Sequence, residues 1–374
     1  MSNQSISAGR VVLAGPMVMP SLSQPPVISI IINNYNYGRY LAAALDSALH
    51  QNDCTAEVIV VDDGSTDHSR EVIARYGERI IPILKGNGGQ ASALNAGFAR
   101  SSGEIILFLD ADDVLLPETG RRVCAAFSAN AGAAKVQYRM EIIDEAGIRT
   151  GQLKPPRHLP LPSGDLRKQV LSFPFDLTWM ATSGNAFAAR VLRQILPMPE
   201  AEYRILADFY LSHLTPLFGA VVFLDEVGAG YRVHRANHYE VAAAALNLDQ
   251  VRQTIVYAQR TQGHIKHFAE QLGLSPPAAE RSVSLLANRL VSLKFEPAQH
   301  PLAGDSVWRL FVLGILAARH RFDVSPALRL LFGSWFVATA LAPTPCARWL
   351  AEWFLFPEKR GQFNQILRVL HGVQ

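Results

Sequence analysis

Cysteine is scarce in this chain: Cys54, Cys124 and Cys346 are the three in 374 residues, odd in number, widely spaced and without a Cys-x-x-Cys pair. That pattern argues against both a disulfide framework and a zinc site. Charge of one sign is lacking too. Lys and Arg total 35 against 32 Asp and Glu, a formal net charge of +3, which is too small to suggest a nucleic-acid-binding surface. No internal repeat is evident. Long hydrophobic runs are missing as well: the apolar stretch from Leu328 to Ala342 falls short of the ~20 residues that a membrane span needs. The first 25 residues make a poor signal peptide, with only Arg10 ahead of Val11-Val-Leu-Ala and Gly15 and Pro16 breaking the run, and read as a Ser/Pro/Gly-rich flexible leader.

What is present is an alternation of short apolar strands and helical patterns from Val27 to about Asn130. Val27–Ile32 breaks into Asn33-Asn-Tyr-Asn-Tyr-Gly38, and Ala56–Val61 breaks into Asp62-Asp-Gly-Ser-Thr-Asp67. A strand over Ile80–Leu84 leads to Lys85-Gly-Asn-Gly-Gly-Gln90 and a helix over Ala91–Arg100, and Ile105–Leu109 ends in Asp110, Asp112 and Asp113. Strands apolar on both faces belong inside a parallel sheet. Their alternation with helices predicts a doubly wound α/β sheet whose ligands gather at the carboxyl ends of the strands. Asp110 and Asp112, two apart in an extended segment, can project the same way and bind one hard cation. Two other readings stay open. Asp62 and Asp63 suit the positive end of a following helix, and Lys85 with its glycines is either a phosphate cradle or an ordinary turn beside a solvent-facing lysine.

The blocks Ile30-Ile-Ile-Asn-Asn-Tyr-Asn-Tyr-Gly-Arg-Tyr-Leu41, Val60-Val-Asp-Asp-Gly-Ser-Thr-Asp67, Asn87-Gly-Gly-Gln-Ala-Ser-Ala-Leu-Asn-Ala-Gly97 and Phe108-Leu-Asp-Ala-Asp-Asp113, in this order and spacing, resemble the family 2 glycosyltransferases. The resemblance covers about the first two thirds of the chain and implies a GT-A, Rossmann-like, doubly wound mixed sheet with an inverting transfer from a nucleotide sugar. Carried over by position, it places Asn33 and Tyr35 at the base, Asp63 as acceptor of a hydrogen bond from the base (usually uracil), and Lys85 and Gln90 toward the diphosphate. Asp110 and Asp112 hold the donor and Mg²⁺ or Mn²⁺. Thr182-Ser183-Gly184-Asn185 resembles the loop beside donor sugar and acceptor. In Tyr203-Arg-Ile-Leu-Ala-Asp208, Asp208 takes the place of the catalytic base, with Ala207 where many relatives carry Glu; Glu200 and Glu202 are fallback candidates. Gly230-Tyr-Arg-Val-His234-Arg-Ala-Asn237 resembles the family's Tyr-Arg-x-His run. It offers His234 to the metal, with a purely structural histidine as the alternative, and Arg232 or Arg235 to the diphosphate.

The division expected is a leader over 1–25, a nucleotide-sugar-binding half over 26–130, an acceptor-binding half over 131–240 and an all-helical extension over 241–374. In the last part Trp335, Trp349 and Trp353 beside Arg329, Arg348, Lys359 and Arg360 suit a helix at a bilayer surface. A helical bundle packed on the catalytic half or on a second subunit is the other reading. The partners expected are a nucleoside-diphosphate sugar, UDP-linked by preference, and a glycan or lipid-linked acceptor, with no nucleic acid. The enzyme is expected in the cytoplasm or at the inner face of its membrane. A nucleotidyltransferase is disfavoured because no Gly-rich basic loop follows the first strand, and a non-catalytic scaffold because the acids stand at the expected places.

Overall fold

The computed structural model describes residues 28–157, 159, 161–234, 246–275 and 280–356. The expected leader, Arg235, Asn237, Lys359 and Arg360 lie outside the described residues. The strands are β1 (Ile28–Asn34), β2 (Ala56–Asp63), β3 (Ile81–Lys85), β4 (Ile105–Asp110), β5 (Val114–Leu115), β6 (Ala133–Ile143), β7 (Arg149–Lys154), β8 (Asn185–Ala188) and β9 (Ala220–Arg232). The helices are α1 (Gly38–Leu49), α2 (Ser69–Ala74), α3 (Gln90–Arg100), α4 (Thr119–Ala129), α5 (Arg167–Ser172), α6 (Ala189–Ile195) and α7 (Ala207–Leu214), then α8 (Leu248–Gln271), α9 (Val283–Phe295), α10 (Val307–His320), α11 (Pro326–Leu341) and α12 (Thr344–Leu355).

One sheet runs β3-β2-β1-β4-β8-β6-β9-β5, with β7 beside β6. The first four strands are mutually parallel, whereas β8 is antiparallel to both β4 and β6. The sheet is therefore mixed, as the resemblance implies. The period of two explains β1: Ile28, Ile30 and Ile32 pack on one face with Leu41 and Leu45 of α1, and Ile31 packs on the other with Leu94 of α3. Each such isoleucine, fully withdrawn from water, contributes about 1.5–3 kcal/mol. Register then sets the site, because Asn33 pairs with Asp110 and Asn34 with Asp62 across adjacent strand ends.

The helices from α8 onward have their own core, built on Leu286, Leu290, Leu310, Trp335 and Phe336, and Phe175 and Phe209 of the preceding region pack against it. Polar ties fix the docking. Asp176 accepts hydrogen bonds from the amides of Val283 (2.8 Å) and Ser284 (2.7 Å) at the start of α9, and pairs with Arg321 at 2.9 Å. Tyr203 and Thr261 join their hydroxyls at 2.8 Å beneath α8. Among the described residues no helix is long and apolar enough to cross a membrane.

Candidate active site

The carboxyl ends of β1, β2 and β4 meet at one edge, and side-chain amides organise them. Asn33 donates to Asp110 Oδ1 at 3.0 Å and so holds the acid in place. Asn34 likewise donates to Asp62 Oδ2 at 3.0 Å, and Arg70 completes Asp62 at 2.9 Å, which makes Asp62 a buried brace of the turn. Tyr35 alone of this group presents its ring, 47% exposed, at the mouth.

Asp63 is buried and nearly saturated. Its Oδ1 accepts from Lys85 Nζ at 2.6 Å and the Gly88 amide at 2.9 Å, and its Oδ2 from the Gly89 amide at 2.7 Å. Of about four lone-pair positions on a carboxylate, one is left. Lys85 Nζ donates to Asp63 and, at 2.8 Å, to the carbonyl of Gly86. The amides expected to be bare at the start of α3 are also taken: Gln90 donates to the Arg204 carbonyl at 2.8 Å and Ala91 to that of Tyr203 at 3.3 Å. Close packing explains the glycines. A Cβ on Gly64, at φ 81°, would lie 2.6 Å from the Asn87 amide nitrogen, and one on Gly89, at φ 92°, would lie 2.4 Å from Arg204 Cγ.

Beyond Asp110 the acids separate in role. Asp112 Oδ2 lies 3.0 Å from His234 Nε2. His234 is buried, its ring 4.9 Å from that of Tyr40 and 5.6 Å from that of Tyr37. Arg232 donates from Nε to the Asp112 carbonyl at 2.7 Å and from its amide to Asp113 Oδ1 at 2.9 Å, so it locks the turn. Burial first, then the charge of Asp112, pushes the Asp110 carboxyl up to about 7, and the same two causes raise Asp113. Burial and the nearby Asp112 and Asp110 also raise the Tyr37 hydroxyl.

A cluster that resists ionisation in this way is short of positive charge, and it has buried oxygens without partners in Asn33 Oδ1 and Asp113 Oδ2. These residues fit Mg²⁺ or Mn²⁺. Among the described residues no group of three or more His, Cys, Asp or Glu forms a ready-made metal site.

Gln90 joins this cluster to the expected base. Its Nε2 reaches Asp110 Oδ1 at 3.3 Å and Thr182 Oγ1 at 3.4 Å, while its Oε1 accepts the Ala207 amide at 3.0 Å at the start of α7. Leu206, just before, is left-handed at φ 62°. Asp208 follows, half-buried on the first turn of α7. Burial pushes its carboxyl above the ordinary range, against the pull of the Phe209 amide and of the Lys135 and Lys154 ammonium groups. Glu200 and Glu202 are used elsewhere, in contacts with Asn95 and His264.

Ser183, Gly184 and Asn185 are buried. Ser183 Oγ accepts the Asp110 amide at 3.0 Å, and Asn185 donates to the carbonyls of Met180 and Ala181 at 3.2 and 2.6 Å. They shape the loop, and Trp179, Met180 and Ala181 just before them face the open space beside Asp208. Sequence reading also passed over Lys135, fully buried near Asp208, although a lysine inside the apolar run Ala133-Ala-Lys-Val136 is a local signal.

The parallel half-sheet with acids at its strand ends defines a protein of the mixed α/β class. The sequence model of Glycosyl transferase family 2 matches residues 29–188. An uncharacterized glycosyltransferase of Nostoc sp. is 36% identical over 250 residues, 66% of this chain and 76% of the relative. The chain belongs to glycosyl transferase family 2, and it is a glycosyltransferase. A hyaluronan synthase of Pasteurella multocida is 41% identical over 106 residues, 28% of this chain and 11% of that protein. The crystal structure of S. aureus TarS 1–349 aligns with a TM-score of 0.48 and 16% identity, covering 84% of this chain and 89% of that one.

Proposed function

We propose that the enzyme is metal-dependent and inverting, and moves a sugar from a nucleoside diphosphate, UDP by preference, to a hydroxyl of a glycan or glycolipid acceptor. The observation that carries this reading is that Asp110 lies in the electrostatic reach of both Asp112, which pairs with His234, and Asp208, with Gln90 bridging Asp110 to the Ala207 amide just before Asp208. Asp110, Asp112 and His234 would hold Mg²⁺ or Mn²⁺, which supplies charge neutralisation for the departing diphosphate. The Tyr35 ring gives the base a stacking surface, and the remaining lone pair of Asp63 can accept from its edge. Asp208 takes the proton of the acceptor hydroxyl as that oxygen attacks the anomeric carbon from the face opposite the diphosphate. Its raised pKa gives it the basicity for that step. The transition state has oxocarbenium character, so positioning of the two faces matters more than nucleophile strength. Similarity to a polysaccharide-building synthase supports a glycan product.

Calorimetric titration of UDP-, dTDP- and GDP-sugars, with and without Mn²⁺, tests the reading. One nucleotide class should bind with Mn²⁺ and lose affinity in Asp112→Asn. Asp208→Asn should bind the donor as the wild type does, with turnover reduced about 10²–10⁴-fold. Donor binding that ignores both Mn²⁺ and Asp112→Asn would sink the metal role.

A further inference from the structure

The C-terminal helices carry an outer surface that a free-standing bundle does not need. Of the twelve large apolar side chains left exposed among the described residues, seven lie between 308 and 349. Trp308, Leu330, Leu341 and Trp349 are 65–77% exposed. On α10, Trp308, Val312 and Leu316 follow one another four apart and form an outward stripe, on the side away from the buried Leu310, Gly314 and Ala317. On α11 the exposed residues after Pro326 are Ala327, Leu330, Ser334, Ala338 and Leu341, none of them charged. A surface helix ordinarily turns charged residues to water, so a face of this kind is a face that something covers. The two helices lie against each other, so close that a Cβ on Gly314 would be 2.3 Å from Phe336 Cδ1. Trp335, expected at such a surface from the sequence, belongs to the core and donates from Nε1 to the Leu350 carbonyl at 2.8 Å.

Charge indicates the cover. α10 and α11 carry Arg309, Arg319 and Arg329 and no carboxylate. None of the three arginines has an acidic partner among the described residues: Arg309 donates to the Gly304 carbonyl at 2.7 Å and Arg329 to that of Val324 at 3.2 Å. The acids of 306–356 are Asp323 and Glu352, and each stands beside another arginine, Arg321 at 2.7 Å and Arg348 at 3.8 Å. We propose that the outer face of α10 and α11 docks on a bilayer containing anionic lipid, with both helices lying in the headgroup layer. At 16 residues α11 is too short to span, so it lies in the plane of the surface.

Other covers fit the charge less well. A second copy docked two-fold through the same face would set these arginines against their own images. Residues 357–374 carry Lys359, Arg360 and Arg368 against Glu358, again a surplus of the same sign. Anionic headgroups meet the arginines, whose apolar stems lie along the surface. The indole of Trp308 suits the boundary between headgroups and acyl chains, and Leu330 and Leu341 enter the apolar side of it.

The test is flotation of the full-length protein with vesicles of phosphatidylcholine alone and of phosphatidylcholine and phosphatidylglycerol in equal parts. Thermal melting checks the fold of each variant. The wild type is expected to float with the mixed vesicles and not with the neutral ones, and added salt should release it. Arg309→Gln and Arg319→Gln should each weaken binding about fivefold, and Trp308→Ser combined with Leu330→Ser about tenfold or more. Brominated phosphatidylcholine in the mixed vesicles should quench tryptophan emission, less in Trp308→Phe, which still floats. Absence of flotation with both compositions overturns the proposal, as does equal flotation with both. Unchanged flotation of folded Trp308→Ser/Leu330→Ser overturns it as well. So does a dimer seen by analytical ultracentrifugation without lipid and abolished by that double variant, which would assign the face to a subunit contact.

Discussion

Lys135 lies fully buried with its ammonium 4.6 Å from the Trp179 ring centroid and 3.2 Å from Ser212 Oγ. Burial lowers its pKa to about 7, against the attraction of Asp208. Since the unfolded lysine titrates near 10.4, the unfolded chain holds more protons between about pH 7 and 10.5, and stability rises with pH across that window. Lys135→Met removes this dependence, so its gain in urea midpoint over the wild type should be larger at pH 6 than at pH 9. The same substitution takes a cation away from Asp208, whose pKa should then rise, and the acidic limb of the kcat–pH profile should move to higher pH. A change in stability with no movement of that limb would leave Lys135 without influence on the base. Leu206 shows the other residue-scale tension. A left-handed leucine costs about 1–2 kcal/mol, and the turn that contains it delivers the Ala207 amide to Gln90.

At the scale of elements, Asp176 couples the transferase region to the C-terminal helices, because it caps α9 and pairs with Arg321 through one carboxylate. Asp176→Ala leaves Arg321 short of a buried partner and two amides uncapped. It should cost about 3–5 kcal/mol, read as a lower urea midpoint. None of this pairing is visible in the sequence, where the partners lie more than a hundred residues apart. What could be read was local. The apolar runs of β1, β2 and β4 stand out because both faces are covered, and the acids at their ends mark the site edge. By contrast, β8 is four residues long and pairs antiparallel with β4 and β6 across distant segments, a register with no local trace. The partners of Asn33 and Lys85 were not legible for a related reason: each pairs with an acid from another strand, which motif spacing does not report.

On the scale of the whole molecule, the aromatic residues Phe175 and Phe209 belong at once to the transferase region and to the core of the C-terminal helices. Two bodies that share core residues do not come apart independently. Thermal unfolding should therefore show one transition, with helix content and tryptophan fluorescence melting together; two separated transitions would mean that the helices are an autonomous unit. The family match ends at residue 188, well before α8 begins at Leu248. The open space beside Asp208 is thus walled in part by Thr254 of α8 and by Ser284 and Asn288 of α9, which the family match does not reach.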